Sequence, residues 1–215
     1  MSPRQIRPLM LLMVVLTLVG TTWVLPAQAQ MRNFKLIAAI QVSGATSNNE
    51  TFSTEARPSL MTGFRYTFPV TDVLSVESGL SLRSRSFNEI INVNNASSSK
   101  IVVGTTLLEA PLMLVYTPYL SNSAYVGIGG YLAYRFNAKV TTTESHDLIS
   151  SAHAQTHNID FGPMVKVGYE LSERLYIELS GQYGLQGVFK APDAGPAEIV
   201  KFRDYAVSLG LGYNF

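Results

Sequence analysis

From Asp204 to Phe215 the chain alternates large apolar with small or polar side chains at every second position, and this alternation is what most restricts the possible fold. Tyr205, Val207, Leu209, Leu211, Tyr213 and Phe215 fall on one face of an extended strand, while Asp204, Ala206, Ser208, Gly210, Gly212 and Asn214 fall on the other. The preceding segment repeats the contrast, with Leu175, Ile177, Leu179, Tyr183 and Leu185 opposite Tyr176, Glu178, Ser180, Gln182 and Gly184. A third sets Ile159, Phe161, Val165 and Val167 against Asp160, Gly162, Lys166 and Gly168. Eight segments of period two follow one another: Phe34–Gly44, Pro58–Phe68, Val73–Phe87, Val103–Tyr116, Ala124–Val140, Asn158–Glu170, Arg174–Phe189 and Phe202–Phe215.

The side that each face takes follows from volume. A soluble barrel of lipocalin type would have to enclose every large apolar side chain, and an eight-stranded interior barely accommodates side chains at all. Turning the oily face toward lipid leaves a lumen of Gly, Ser, Ala and charged groups, which fits. The charged fraction agrees: it is 14%, against about 25% in an average soluble domain, and gives poor cover for a wet surface. Each segment is long enough for a tilted membrane strand, which needs roughly nine to eleven residues. Closure removes the unpaired sheet edges that hydrocarbon does not tolerate. Tyr66, Phe68, Tyr116, Tyr119, Tyr125, Tyr134, Phe136, Tyr169, Tyr213 and Phe215 cluster near strand ends, as two interfacial girdles would. The expected fold is therefore all-β, an eight-stranded antiparallel up-and-down transmembrane β-barrel.

The connections alternate in length. Short turns are expected at Val70–Asp72, Pro118–Asn122 and Leu171–Glu173, and long polar loops at Ala45–Arg57, Asn88–Lys100, Thr141–His157 and Lys190–Lys201. In outer-membrane barrels the short turns face the periplasm, so both mature termini are expected there. The first thirty residues supply the route. Arg4 and Arg7 form a positive start, Leu9–Val19 an apolar run, and Ala27 and Ala29 the small positions before a cleavage point at Gln30. A retained membrane helix over Leu9–Leu25 is the alternative; Gly20, Pro26 and the Ala-Gln-Ala ending favour cleavage. The expected organisation is a signal peptide over 1–29 and one barrel domain over 30–215. The formal net charge of +1 gives no footprint for nucleic acid. The absence of cysteine excludes disulfides and thiolate chemistry.

The parity of the strands places Lys35, Arg65, Glu77, Arg83, Arg85, Glu109, Arg135, Asp160, Lys166, Glu178 and Asp204 in the lumen. Six bases thus face five acids, and charges in a narrow interior persist when paired. The near balance suggests an interlocked plug, with a narrow ion pathway as the alternative. Glu109, between Leu107, Pro111 and Met113 on its own face, is the expected centre. Pro111 and Pro163, inside strands, imply a bulge or a kink.

His146, His153 and His157 gather in the third long loop with Asp147, Ser150 and Ser151. These residue types suit a metal site or a surface enzyme acting on lipid A, but no spacing among them is recognisable, and roles in such a site are settled by geometry. The expectation is no metal, no cofactor and no catalytic site.

Leu107, Leu108, Glu109, Ala110, Pro111, Leu112, Met113, Leu114, Val115 and Tyr116 resemble the leucine-glutamate-isoleucine-proline strand of the PorT-like outer-membrane barrels of Bacteroidetes-type bacteria, whose barrel is of OmpA/OmpX type. Ala110 stands where that family has isoleucine. Tyr125–Tyr131 is similar to the family's next, glycine-rich strand. The resemblance implies a Gram-negative outer-membrane barrel and, by its name alone, an accessory role in secretion. Leu209, Leu211, Tyr213 and Phe215 look like the C-terminal signal read by the outer-membrane assembly machinery. Expected partners are outer-membrane lipids, that machinery, and an extracellular protein or glycan at the loops.

Overall fold

The computed structural model describes residues 33–47, 52–93, 97–118, 123–142, 157–188 and 202–215. The leader expected over 1–29 lies outside them. Eight strands follow in chain order: β1 Phe34–Ser47, β2 Phe52–Pro69, β3 Leu74–Val93, β4 Ser97–Tyr116, β5 Ala124–Thr142, β6 Ile159–Glu170, β7 Leu175–Tyr183 and β8 Phe202–Asn214. Each pairs antiparallel with its neighbour in sequence, and β1 pairs with β8, so the sheet is a closed barrel. Ala38, for example, lies opposite Thr62 of β2 on one side and Leu211 of β8 on the other.

Burial alternates strictly along β6, β7 and β8, in step with the sequence. The large apolar residues are the exposed ones. Ile40, Leu60, Leu112, Ile128, Val165, Leu179 and Leu211 all point away from the axis, and Arg83, Glu109 and Asp160 are fully enclosed. A water-soluble protein would show the opposite distribution.

Several expectations need correction. The loops expected at Ala45–Arg57 and Asn88–Lys100 are largely strand, since β1 runs to Ser47, β2 starts at Phe52, β3 runs to Val93 and β4 starts at Ser97. Those segments lack apolar alternation, and their strand character rests on backbone pairing. In contrast, β7 ends at Tyr183 and does not reach Phe189. The wall is therefore uneven: β3 and β4 have 20 residues each, β6 has 12 and β7 has 9. About ten residues suffice to span, so the β3–β4 hairpin stands well clear of the membrane.

Pro111 produces no bulge. The β3–β4 ladder skips Gly79 and Leu80 opposite Pro111 and Ala110, then resumes in the same register, as expected where one donor is missing. Pro163 sits opposite Gly130 without any shift. The shifts fall between Ala56 and Met61, around Pro58, and between Thr106 and Leu107. Among the girdle residues, Tyr125 is buried in the lumen, and Tyr119 lies outside the described residues.

Candidate functional site in the barrel lumen

The inward positions bring the charged side chains into two groups at different heights. Nearer the short turns, Arg65 of β2 donates from Nη1 to Glu178 Oε1 of β7 at 2.6 Å and to Glu77 Oε1 of β3 at 3.3 Å. Lys166 of β6 bonds Glu77 and lies 3.2 Å from Glu178 Oε2. Lys35 of β1 stands 3.8 Å from Glu77 Oε2, its ammonium 5.2 Å and 5.4 Å from the ring centres of Tyr125 and Tyr176. The Tyr125 hydroxyl donates to Glu178 at 3.1 Å.

Toward the long loops, Arg83 and Arg85 leave β3 two residues apart on the same face. Arg83 donates to Gln41 of β1 at 2.7 Å, to Ser208 of β8 at 3.0 Å and to Glu109 of β4 at 3.0 Å. Arg85 reaches three carboxylates: Glu109 at 3.3 Å, Asp160 of β6 at 2.9 Å and Asp204 of β8 at 2.8 Å. Gln182 of β7 donates to Glu109 at 3.0 Å and the Tyr131 hydroxyl of β5 to Asp160 at 2.9 Å. Arg135 of β5 lies 3.4 Å from Asp204 and donates to the His157 carbonyl at 2.7 Å. The upper group holds three bases and three acids; the lower holds three bases and two acids.

All eleven sequence-derived lumen charges therefore take part in ion pairs, and all but Lys35 are buried. Glu109, the expected centre, meets Arg83, Arg85 and Gln182, and Arg85 gathers one more opposite charge than Glu109 does. The lumen is also less polar than expected. Ile37, Met61, Leu107, Met113, Met164 and Tyr176 are buried there beside the charges.

Sequence reasoning put Gln182 and Ser208 on the inward face but gave them no part in the network, and it did not place Gln41 and Tyr131 there, although their parity put them inside; attention to formal charge alone hid them. Two lumen glycines are needed for close approach, because a Cβ at Gly168 would overlap the Tyr125 ring and one at Gly212 the Tyr176 ring. Gly212→Val is expected to lower stability by about 1–3 kcal/mol through overpacking. The check is the urea midpoint in lipid vesicles, with partial recovery when Tyr176→Ala is added.

The loop histidines do not form a site among the described residues. His146 and His153 lie outside them, with Asp147, Ser150 and Ser151, while the His157 backbone is tied to Val188 and Arg135. No group of three metal-ligating side chains occurs among the described residues.

Residues 27–190 match the outer membrane protein beta-barrel domain. The chain belongs to this family. The outer-membrane barrel fold is also similar to OprG from Pseudomonas aeruginosa, at TM-score 0.52 and 15% identity over 86% of this chain and 97% of that one. Neisserial surface protein A (TM-score 0.48, 14% identity, 85% and 97% covered) and the outer membrane protein AlkL solved in lipid bilayers (0.45, 18%, 89% and 95%) are further structures of similar outline. No curated protein matches the chain. As an outer-membrane barrel of Gram-negative type, the protein resides in the bacterial outer membrane. Its exposed apolar band is the lipid face, and its enclosed charges occupy the bore.

Proposed function

We propose that the protein is a sealed, non-enzymatic outer-membrane barrel that acts through the part of its wall standing outside the bilayer. The observation that carries this reading is the cross-linking of the bore: between them, the two charge groups tie all eight strands together, wall to wall. Ions crossing such a bore would have to break buried pairs, each held by opposite charges on different strands. The uneven rim, with its long β3–β4 hairpin and the segments that follow it, is the surface offered to an extracellular protein or glycan.

The finer parts of the reading belong together. A leader over 1–29 is removed on export, the mature barrel is of PorT-like type on the strength of Leu107–Tyr116, and Leu209, Leu211, Tyr213 and Phe215 guide assembly. The expected result in planar bilayers is silence, with no stable conductance from the purified protein. Steady, ion-selective steps would establish the narrow channel instead. Mass spectrometry of lipid A from an expressing strain is expected to match the control, and a modified lipid A would make the protein an enzyme.

A further inference from the structure

The two charge groups differ in balance, and the difference sits at one end of the bore. The upper group has as many acids as bases, whereas Lys35, Arg65 and Lys166 face Glu77 and Glu178, so the lower group keeps one positive charge. Enclosing such a charge without a counter-charge is costly. The two ends also differ in polarity. Above Arg85 and Asp204 the bore ends in an apolar layer of Ala45, Phe87, Val103, Val188 and Phe202, all buried, with the Phe87 and Phe202 rings stacked at 6.4 Å. At the opposite end Lys35 reaches solvent through 13% of its side chain. The surplus charge therefore lies on the periplasmic side.

Unused donors lie beside that charge. Arg65 commits Nη1 to both carboxylates, while Nε and Nη2, which form the side edge of the guanidinium, are buried and bond nothing among the described residues. Arg83, Arg85 and Arg135 each leave Nε alone unbonded, so the whole free edge occurs in the group that carries the surplus. Lys35 lies opposite Arg65 in the β1–β2 ladder, and its ammonium, 3.8 Å from Glu77, stands beyond hydrogen-bond reach of it. Thr67, two residues from Arg65 on the same face of β2, has a buried hydroxyl without a partner among the described residues. An ammonium, a guanidinium edge and a hydroxyl on neighbouring inward positions are what an anion requires. Water would satisfy the donors but not the charge, and a dianion would leave the group negative. The balance selects a single negative charge, and the enclosure of Arg65, which is 1% exposed, selects a small ion.

We propose that the periplasmic end of the bore binds one halide ion, chloride in the periplasm, at the free edge of Arg65 beside Lys35 and Thr67, which brings the bore to neutrality. The test uses the protein isolated from outer membranes, in lipid vesicles and in crystals. When chloride replaces the much larger gluconate at constant ionic strength, the urea midpoint is expected to rise and to saturate. Crystals grown in bromide are expected to show one anomalous peak within hydrogen-bond distance of Arg65 Nε and Nη2. Thr67→Val is expected to raise the half-saturating chloride concentration about ten-fold, as loss of one hydrogen bond to an ion would. Lys35→Met, which equalises bases and acids at a position that is not fully buried, is expected to abolish both the rise and the peak. Arg174→Met, at an exposed position at the same end, leaves both unchanged. Heat-modifiable gel mobility shows that each variant is folded. A midpoint indifferent to chloride, or no bromide at Arg65, would mean water alone on that edge and would overturn the proposal. A full chloride response in Lys35→Met, or its loss in Arg174→Met, would overturn it as well. Conductance plays no part in these readouts, so the result is independent of whether the bore is sealed.

Discussion

Arg85→Met is expected to destabilise the barrel by about 3–5 kcal/mol, the cost of leaving buried partners without their counter-charge. Arg85 bridges Glu109, Asp160 and Asp204 from a single guanidinium. After its removal Glu109 keeps Arg83 and Asp204 keeps Arg135, but Asp160 is left with the Tyr131 hydroxyl and an oxygen that already lacks a partner. Methionine fills a similar volume without a charge, so the loss is electrostatic and not a cavity. The measurement is urea unfolding in lipid vesicles, followed by the shift from folded to unfolded gel mobility. Adding Asp160→Asn to Arg85→Met removes the stranded charge and is expected to restore part of the stability. A cycle in which the two losses simply add would show that Arg85 and Asp160 are not coupled.

The strands and their inward faces were legible because lipid outside and a narrow bore inside impose opposite demands on alternate residues. Tyr125 shows what attention to composition can hide. As an aromatic residue near a strand end it looks like a girdle member, yet Val126 and Ile128 face lipid and their parity puts it inside with Glu178. The pairing of particular charges was not legible. Arg65 meets Glu178 across 113 residues and Arg83 meets Ser208 across 125, contacts set by how far each strand is staggered against the next. Nor was the height of the β3–β4 hairpin, since Glu89–Val93 and Ser97–Ser99 show no apolar alternation, and their strand character rests on backbone pairing between the two strands.

Ile128→Arg is expected to cost about 2–4 kcal/mol, the penalty for a guanidinium at the middle of a barrel's lipid face. Ile128 is 65% exposed, between Leu114 of β4 and Val165 of β6. It stands four residues from the start of β5, roughly 10 Å above the periplasmic boundary and close to the bilayer midplane. Tyr134→Arg, on the same face of the same strand but near the outer interface, is expected to cost only about 0–1 kcal/mol, because a long side chain there reaches water. Urea titrations of both variants in vesicles give the two numbers. The gradient matters more than either value, since an exposed site on a water-soluble barrel would accept arginine at both positions within about 0.5 kcal/mol. A penalty that rises from Tyr134 to Ile128 has its origin in the depth of hydrocarbon outside the wall. Equal and small effects at both would place water there, and with it the whole assignment of inside and outside would reverse.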